Sequence, residues 1–346
     1  TTFQKDDNDD GLVPSNIIVD DLYAAKEFVK MMGERMVYTD DDLYVFDETT
    51  GLWNNKNQSI RYYIDKYGDK LKFKQLNLDN GKDKVFNYSG TEKNLNNMLK
   101  FVPTFCVYDE FFEKNIDTSK GKWLFSNGIY DLDTNTFTPD FNPSIVFKDR
   151  INRPFPTERK EDVIKLVKKI LFEDPFMDDE IQTSNYLRIA FVRALYGDYR
   201  AKQFYFCVGK SNAGKGVLAD ALKSAFGGYV GTFNAKSLAY NDGNSADSAK
   251  QLSWVFGIKD KRLAISSEVS MSKHFDGNMI KSLASGGDEC DARKCHKDET
   301  KVVNRSTIFC FNNDMPMINP LDDGGVNRVR CIEFNCVFKT AEEVSQ

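Results

Sequence analysis

The sequence predicts an α/β protein in which a P-loop core over residues 202–346 follows a mixed α+β N-terminal segment, 1–155, and a helical linker or collar, 156–201. Three observations predict it. From Gln203 onward, short apolar runs alternate with Gly-rich turns and helical stretches, the pattern of a sheet covered by helices. Between 156 and 201, two stretches carry apolar residues at helical spacing. Before residue 155, the clearest signals are hairpins, each a pair of apolar runs joined by short polar turn residues.

Composition bounds what such a chain can be. At 346 residues more than one core is expected, because single cores stop growing beyond roughly 250–300 residues. Hydrophobic residues at 41% and charged residues at 29% exclude a largely disordered chain. The net charge of −5 argues against a surface that coats nucleic acid as a whole, so any such contact must be local. Seven cysteines, scattered and odd in number, do not make a disulfide scaffold, and a reducing compartment is expected. No apolar run approaches the roughly 20 residues that span a bilayer, and Thr1 to Gly11 lacks a signal-peptide core, so a soluble protein with no membrane partner is expected. Thr rather than Met at position 1 suggests a piece of a longer protein.

Along the chain, an amphipathic helix is expected over Asp20 to Met32, with Leu22, Phe28, Val29 and Met32 on its apolar face. Leu43 to Phe46 and Gly51 to Trp53 flank the turn Asp47-Glu48-Thr49-Thr50. A second hairpin is expected from Trp123 to Leu132 and Asn135 to Thr138. Pro154 and Pro156 mark a boundary, since proline lacks the N–H that ladders and helix interiors use. Helices follow over Glu161 to Phe172 and Asp179 to Tyr196.

The apolar run Phe204 to Val208 leads into Gly209-Lys210-Ser211-Asn212-Ala213-Gly214-Lys215-Gly216-Val217 and a helix expected from Val217 to Ala225. Strand, glycine-rich loop and helix together are the setting of a phosphate-binding loop: backbone N–H groups face the phosphates, the helix start adds partial positive charge, and Lys215 reaches the β and γ phosphates. ATP with Mg²⁺ is the expected ligand pair. The hydroxyl that such loops place on the metal is missing, because the residue after Lys215 is Gly216 and the next is Val217. Farther on, Arg262 to Glu268 reads as a buried strand ending in an acid; Glu268 is the candidate for holding the metal or orienting the attacking water. Ser306 to Phe311 reads as another strand, ending in Asn312-Asn313-Asp314-Met315-Pro316, and Asn313 is the candidate sensor of the γ-phosphate. Asn327-Arg328-Val329-Arg330 then leads into a fourth strand, Cys331 to Phe334, with Arg328 or Arg330 the candidate for stabilising charge on a neighbouring subunit's nucleotide, a role the resemblance below gives to Arg328.

The order of these blocks, with Ile280 to Asp288 through Ala292-Arg293 between them, resembles superfamily 3 helicases, in particular the primase-helicase ATPases of poxviruses, other large DNA viruses and some phages. The Gly286-Gly287-Asp288 turn followed by Ala292-Arg293 carries most of that resemblance, supported upstream by Asn127 to Leu132 and Gly51 to Trp53. It implies an AAA+ like core in a homo-oligomeric ring, usually a hexamer, around single-stranded DNA, acting in viral or phage DNA replication in the host-cell cytoplasm or at a viral replication site. A primase domain or other replication proteins are the implied further partners. In such rings a hairpin projects into the channel. The matching segment here, Cys290 to Val303, carries Arg293, Lys294, His296, Lys297 and Lys301 against Asp291, Asp298 and Glu299, and Arg293, Lys294, His296 and Lys297 are the candidate DNA contacts. Cys290, Cys295 and His296 lack the second ligand pair that a zinc site would need. Two other readings stay open: a nucleotide or small-molecule kinase, suggested by Gly216, and a non-hydrolysing ring scaffold, for which the missing hydroxyl would be expected.

Overall fold

A computed structural model describes residues 12–13, 17–77, 82–176, 181–240, 252–267, 274–293 and 299–339. Its contacts group the chain into two compact units, residues 1–118 with 141–147, and 119–140 with 148–346. This division does not follow chain order at 155: residues 119–140 group with the sheet-bearing unit, and 141–147 return to the first.

In the first unit, β1 (Leu12–Val13) lies parallel to β5 (Lys72–Asn77), which pairs antiparallel with β6 (Lys82–Asn87). Helix α1 (Asp21–Met32) starts where the Asp20 carboxylate accepts from Tyr23 N at 2.8 Å, a side-chain cap that satisfies one orphan donor of the first turn. Its buried face is Ala24, Ala25, Phe28 and Met32. Leu22, expected on that face, is 43% exposed. Six residues before Phe28, it lies about 120° around the helix from it. The hairpin expected around residue 48 is part of an antiparallel meander, β2 (Met36–Thr39), β3 (Asp42–Asp47) and β4 (Leu52–Asn54), whose turn is tied by Asp47 accepting from Thr49 N at 2.8 Å. Trp53 packs edge-on against Phe46 and Phe111, and its indole donates to Pro143 O at 3.3 Å, which makes it a packing residue. Helices α2 (Asn57–Lys66), α3 (Glu92–Phe101), α4 (Pro103–Cys106) and α5 (Phe111–Asn115) complete the unit.

The second unit opens with another meander, β7 (Lys122–Phe125), β8 (Gly128–Asp131) and β9 (Thr136–Thr138). The run expected as one strand from Trp123 to Leu132 is itself a hairpin, turned at Ser126-Asn127. Helix α6 (Glu161–Lys168) passes into a π-helical turn over Lys169–Glu173, so the continuous helix expected to Phe172 changes pitch at its end. Helix α7 (Ile181–Tyr196) buries Leu187, Ala190, Phe191, Ala194 and Leu195.

The central sheet of this unit is parallel throughout. It contains β10 (Phe204–Val208), β11 (Val230–Asn234), β12 (Leu263–Ser267), β16 (Thr307–Asn312) and β18 (Val329–Glu333), ordered β11-β12-β16-β10-β18. A parallel sheet is buried on both faces. Accordingly, all five residues of β10 are buried, Tyr205 and Cys207 toward a core with α7 and α8 (Lys215–Phe226), Phe204, Phe206 and Val208 toward a core with α9 (Gly277–Leu283). The remaining strands are β13 (Phe275–Asp276), parallel to β17 (Ile318–Asn319), and the antiparallel pair β14 (Glu289–Arg293) and β15 (Glu299–Val303). Helix α10 (Asp323–Val326) precedes β18. This is the α/β core the sequence predicts, with edge strand β11 added.

Candidate nucleotide site

The connections of two neighbouring central strands leave in opposite directions. From β10 the chain crosses three positions to β11, whereas from β16 it crosses β10 to reach β18. In an open parallel sheet such a reversal leaves a crevice at the carboxyl ends of the strands, where ligands bind. The glycine-rich loop sits there. Val208, the last residue of β10, is in register with Asn312 on one side and Glu333 on the other. Gly209 N donates to Asn313 O at 3.2 Å, fixing the loop's entry to the end of β16.

Across the loop, Lys210, Ser211 and Asn212 are exposed, Ala213 is buried, and Gly214 caps α8, which begins at Lys215, two residues before the expected start. Lys215 is only 5% exposed, yet its ammonium is directed into the loop. Nζ donates to Gly209 O, to Lys210 O at 2.9 Å and to Asn313 Oδ1 at 3.3 Å. The structure thus brings two predicted site residues, Lys215 and Asn313, into contact at the crevice. Gly216 and Val217 are exposed on the first turn of α8, and a Cβ built on Gly216 meets nothing within 4 Å. The neighbouring Asn312, which sequence reasoning passed over, is the buried amide, and its Oδ1 has no hydrogen-bond partner.

Glu268 lies outside the described residues. The strand that leads to it, β12, is held by Ser266, whose hydroxyl accepts from Phe311 N at 3.1 Å. Arg328 is not at the crevice. Phe204 N donates to Arg328 O at 2.8 Å, which places Arg328 at the opposite end of β10 from the loop, roughly 13 Å along the strand. Its guanidinium donates to Gly324 O at 2.7 Å and to Ala284 O at 3.3 Å. Both bonds keep the guanidinium near the amino end of β18, away from Lys215.

The predicted DNA hairpin is a hairpin, β14 and β15, with Lys294, His296 and Lys297 outside the described residues. Its inner face, Cys290, Ala292 and Val302, is buried in the core. On its other face Lys301 meets Asp291 at 2.5 Å. The two strands themselves carry Arg293 and Lys301 against Glu289, Asp291 and Glu299, so the basic residues that set the segment's excess, Lys294, His296 and Lys297, lie outside the described residues. The Gly286-Gly287 turn before it is a close-packing device. At Gly286, φ is +79° and a Cβ would lie 2.9 Å from Lys202 Cγ and 3.0 Å from Arg200 O, so only glycine admits the 199–202 segment there.

Arg262, at the start of β12, is a residue whose importance the sequence did not signal. It is buried, donates to Leu195 O at 2.6 Å and Ser119 O at 2.7 Å, and stacks over Tyr229 at 4.5 Å. Burial pulls its pKa down from the ordinary guanidinium value, with Tyr229 working against the shift. Burial likewise pushes the Cys207 and Cys310 thiols up, so both are inert packing groups at physiological pH.

Residues 25–175 match the family described as D5 N terminal like. The chain is 38% identical over 304 residues to "Putative helicase V13" of Sputnik virophage, covering 88% of this chain and 38% of that protein. It is 22% identical over 240 residues to "Putative helicase L207/L206" of Acanthamoeba polyphaga mimivirus, covering 69% of this chain and 24% of that protein. The solved apo structure of the NrS-1 C terminal region aligns over 86% of this chain and 66% of that one, with 17% identity and a TM-score of 0.42. The chain therefore spans about two fifths of the first viral relative and about a quarter of the second.

Proposed function

We propose that this chain, a relative of viral proteins named as helicases with a D5 N terminal like segment, is the motor portion of a superfamily 3 helicase, hydrolysing ATP to move along single-stranded DNA and separate duplex. The observation that carries the reading is the meeting of Lys215 and Asn313 at the sheet's switch point. ATP is the substrate. Its phosphates lie against the loop N–H groups at the start of α8, and Lys215 exchanges its loop carbonyls for phosphate oxygens. Asn313, already beside Lys215, then reports whether the γ-phosphate is present. Glu268 follows the strand β12, whose carboxyl end faces the same crevice, and supplies the general base for water. Arg328 of one copy completes the site of the next, a role in keeping with its place at the far end of β10 from its own loop. The Mg²⁺ expected with ATP finds no side-chain oxygen at Gly216 or Val217, so the described start of α8 does not form a direct cation site.

Association of copies is supported by apolar side chains left in water. On α6 and α7, Val163, Leu166, Ile189 and Val192 are 52–64% exposed. Together with α8 these helices bound an apolar cavity of about 870 Å³. Apolar surface concentrated in this way marks an interaction site.

The test is steady-state ATP hydrolysis across a titration of single-stranded DNA, at low and moderate salt, with Lys215→Ala as blank. Turnover that rises with DNA, falls with salt and vanishes in the blank supports the motor. Turnover indifferent to DNA favours a kinase-like nucleotidase. Ring formation without turnover favours a scaffold, the reading that the hydroxyl-free Gly216 supports.

A further inference from the structure

We propose that α9 is a transmission strap that couples the nucleotide-facing segment 313–328 to both legs of the β14–β15 hairpin, with Lys281, Asp322 and Asn304 as its positioning residues. The inference rests on the motor reading above. Segment 313–328 begins at Asn313, beside Lys215, and ends at Arg328, the candidate for the neighbouring site. Along its length it is tied to α9 at successive points. Phe275 N donates to Met317 O at 2.8 Å, and β13 pairs with β17 in register Phe275 to Ile318. Gly277, the first residue of α9, lies so close to the segment that a Cβ would fall 1.8 Å from Pro320 O. One turn on, Lys281 Nζ meets Asp322 Oδ2 at 2.6 Å, while Asp322 Oδ1 caps α10 by accepting from Gly325 N at 2.9 Å. At the far end of α9, Ala284 O accepts from Arg328 Nε at 3.3 Å.

The other side of α9 leads to the hairpin by two routes. Covalently, Ala284 continues through Ser285, whose hydroxyl accepts from Asp288 N at 3.1 Å, into β14. Through space, Asn304, the residue after β15, donates from its buried amide to Leu283 O at 2.8 Å and to Ser306 O at 3.0 Å. Residues 275–284, α9 with the strand before it and the residue after it, therefore touch the sensor-to-arginine segment at four places, two of them from the helix itself, and hold both ends of the hairpin. Coupling needs such a contiguous body whose position two sites share. A shift of Arg328 toward a neighbour's phosphate would release Ala284 O and move α9 with the hairpin base. The pairing of Lys281 with Asp322 keeps segment and helix together while that happens.

The contrast with a purely structural role is sharp, because exposed ion pairs contribute little to stability. Asp322 is 55% exposed at its side chain, so the bland expectation for Lys281→Met or Asp322→Asn is no change at all. The full chain should be assayed for basal and DNA-stimulated ATP turnover, for affinity toward a labelled oligonucleotide, and for melting temperature. We expect Lys281→Met and Asp322→Asn to keep basal turnover and oligonucleotide affinity within about twofold of wild type but lose DNA stimulation by about fivefold or more, the lower range of measured couplings. Lys281→Arg should restore it. Asn304→Ala should lose stimulation too, with its melting temperature checking for global damage. Wild-type stimulation in both Lys281→Met and Asp322→Asn would overturn the strap while leaving the motor intact. A parallel fall of basal turnover, stimulation and melting temperature would overturn it as well. Absence of stimulation in wild type would sink the motor reading, and the strap with it.

Discussion

Gly216 stands where phosphate loops usually carry a hydroxyl, and the structure shows that nothing in the fold demands glycine there. A Cβ has open space, and the position lies on the first turn of α8. Gly216→Ser is therefore expected to leave stability unchanged or raise it by about 0.5 kcal/mol, since glycine is a poor helix residue. It should also tighten nucleotide binding when magnesium is added. Thermal melts and a magnesium titration of nucleotide affinity check both outcomes; a destabilised variant would mean the loop needs glycine for reasons the geometry does not show. Arg262 presents the opposite case. Its guanidinium holds the carbonyls of Leu195 and Ser119 from a buried position, so Arg262→Ala should cost on the order of 3 kcal/mol. The matching fall in Tm is roughly 6–12 °C for a unit of this size. A loss under about 1 kcal/mol would show that water replaces it.

At the scale of elements, the first unit is fastened by one carboxylate. Glu48, in the turn between β3 and β4, accepts from Arg35 Nη1 at 2.8 Å and from Lys66 on α2, while Arg35 also donates to Met31 O at 2.8 Å and Met32 O at 3.0 Å at the end of α1. A single side chain thus joins two helices and a meander. Burial alone would raise the Glu48 pKa, but the bonds from Lys66 and Arg35 outweigh it and hold the carboxyl below its ordinary value. A depressed folded-state pKa gives stability that is fully present above the unfolded value of about 4.3 and lost as pH falls through the folded one. Glu48→Gln should therefore lower the melting temperature of the first unit at pH 7, and the gap from wild type should close progressively below about pH 4. Equal gaps at pH 7 and at about pH 3 would show that the carboxylate charge contributes nothing.

For the whole molecule, the decisive relation is the separation of Lys215 from Arg328 at opposite ends of parallel neighbouring strands. If Arg328 serves a neighbour, Lys215→Ala and Arg328→Ala chains should each be inactive alone. Mixed, they should regain part of the wild-type turnover, because some junctions pair an intact loop with an intact arginine. No recovery in mixtures that light scattering shows to be assembled would remove Arg328 from the neighbour's site. No helix among the described residues is long and apolar enough to cross a membrane.

Local pattern determined a good part of this protein. Strand periodicity marked β10, β12, β16 and β18, and the spacing of Gly209, Gly214 and Lys215 marked the loop, because a phosphate cradle needs strand, glycine turn and helix contiguous in the chain. Tertiary structure decided the rest. Whether Asn313 or Arg328 meets Lys215 depends on strand order, which local pattern does not encode. The two residues are close in sequence, yet one lies at the carboxyl end of its strand and the other at the amino end of the next. Arg262, Lys281 and Asn304 gave no signal at all in the sequence. A buried guanidinium, a strap ion pair and a buried amide are written as isolated polar residues, and their partners at Ser119, Asp322 and Leu283 stand 143, 41 and 21 positions away. The roles of Arg262 and Asn304 exist only once long-range packing has removed water from around them and left carbonyls for them to satisfy, and that of Lys281 only once the fold has brought Asp322 beside it.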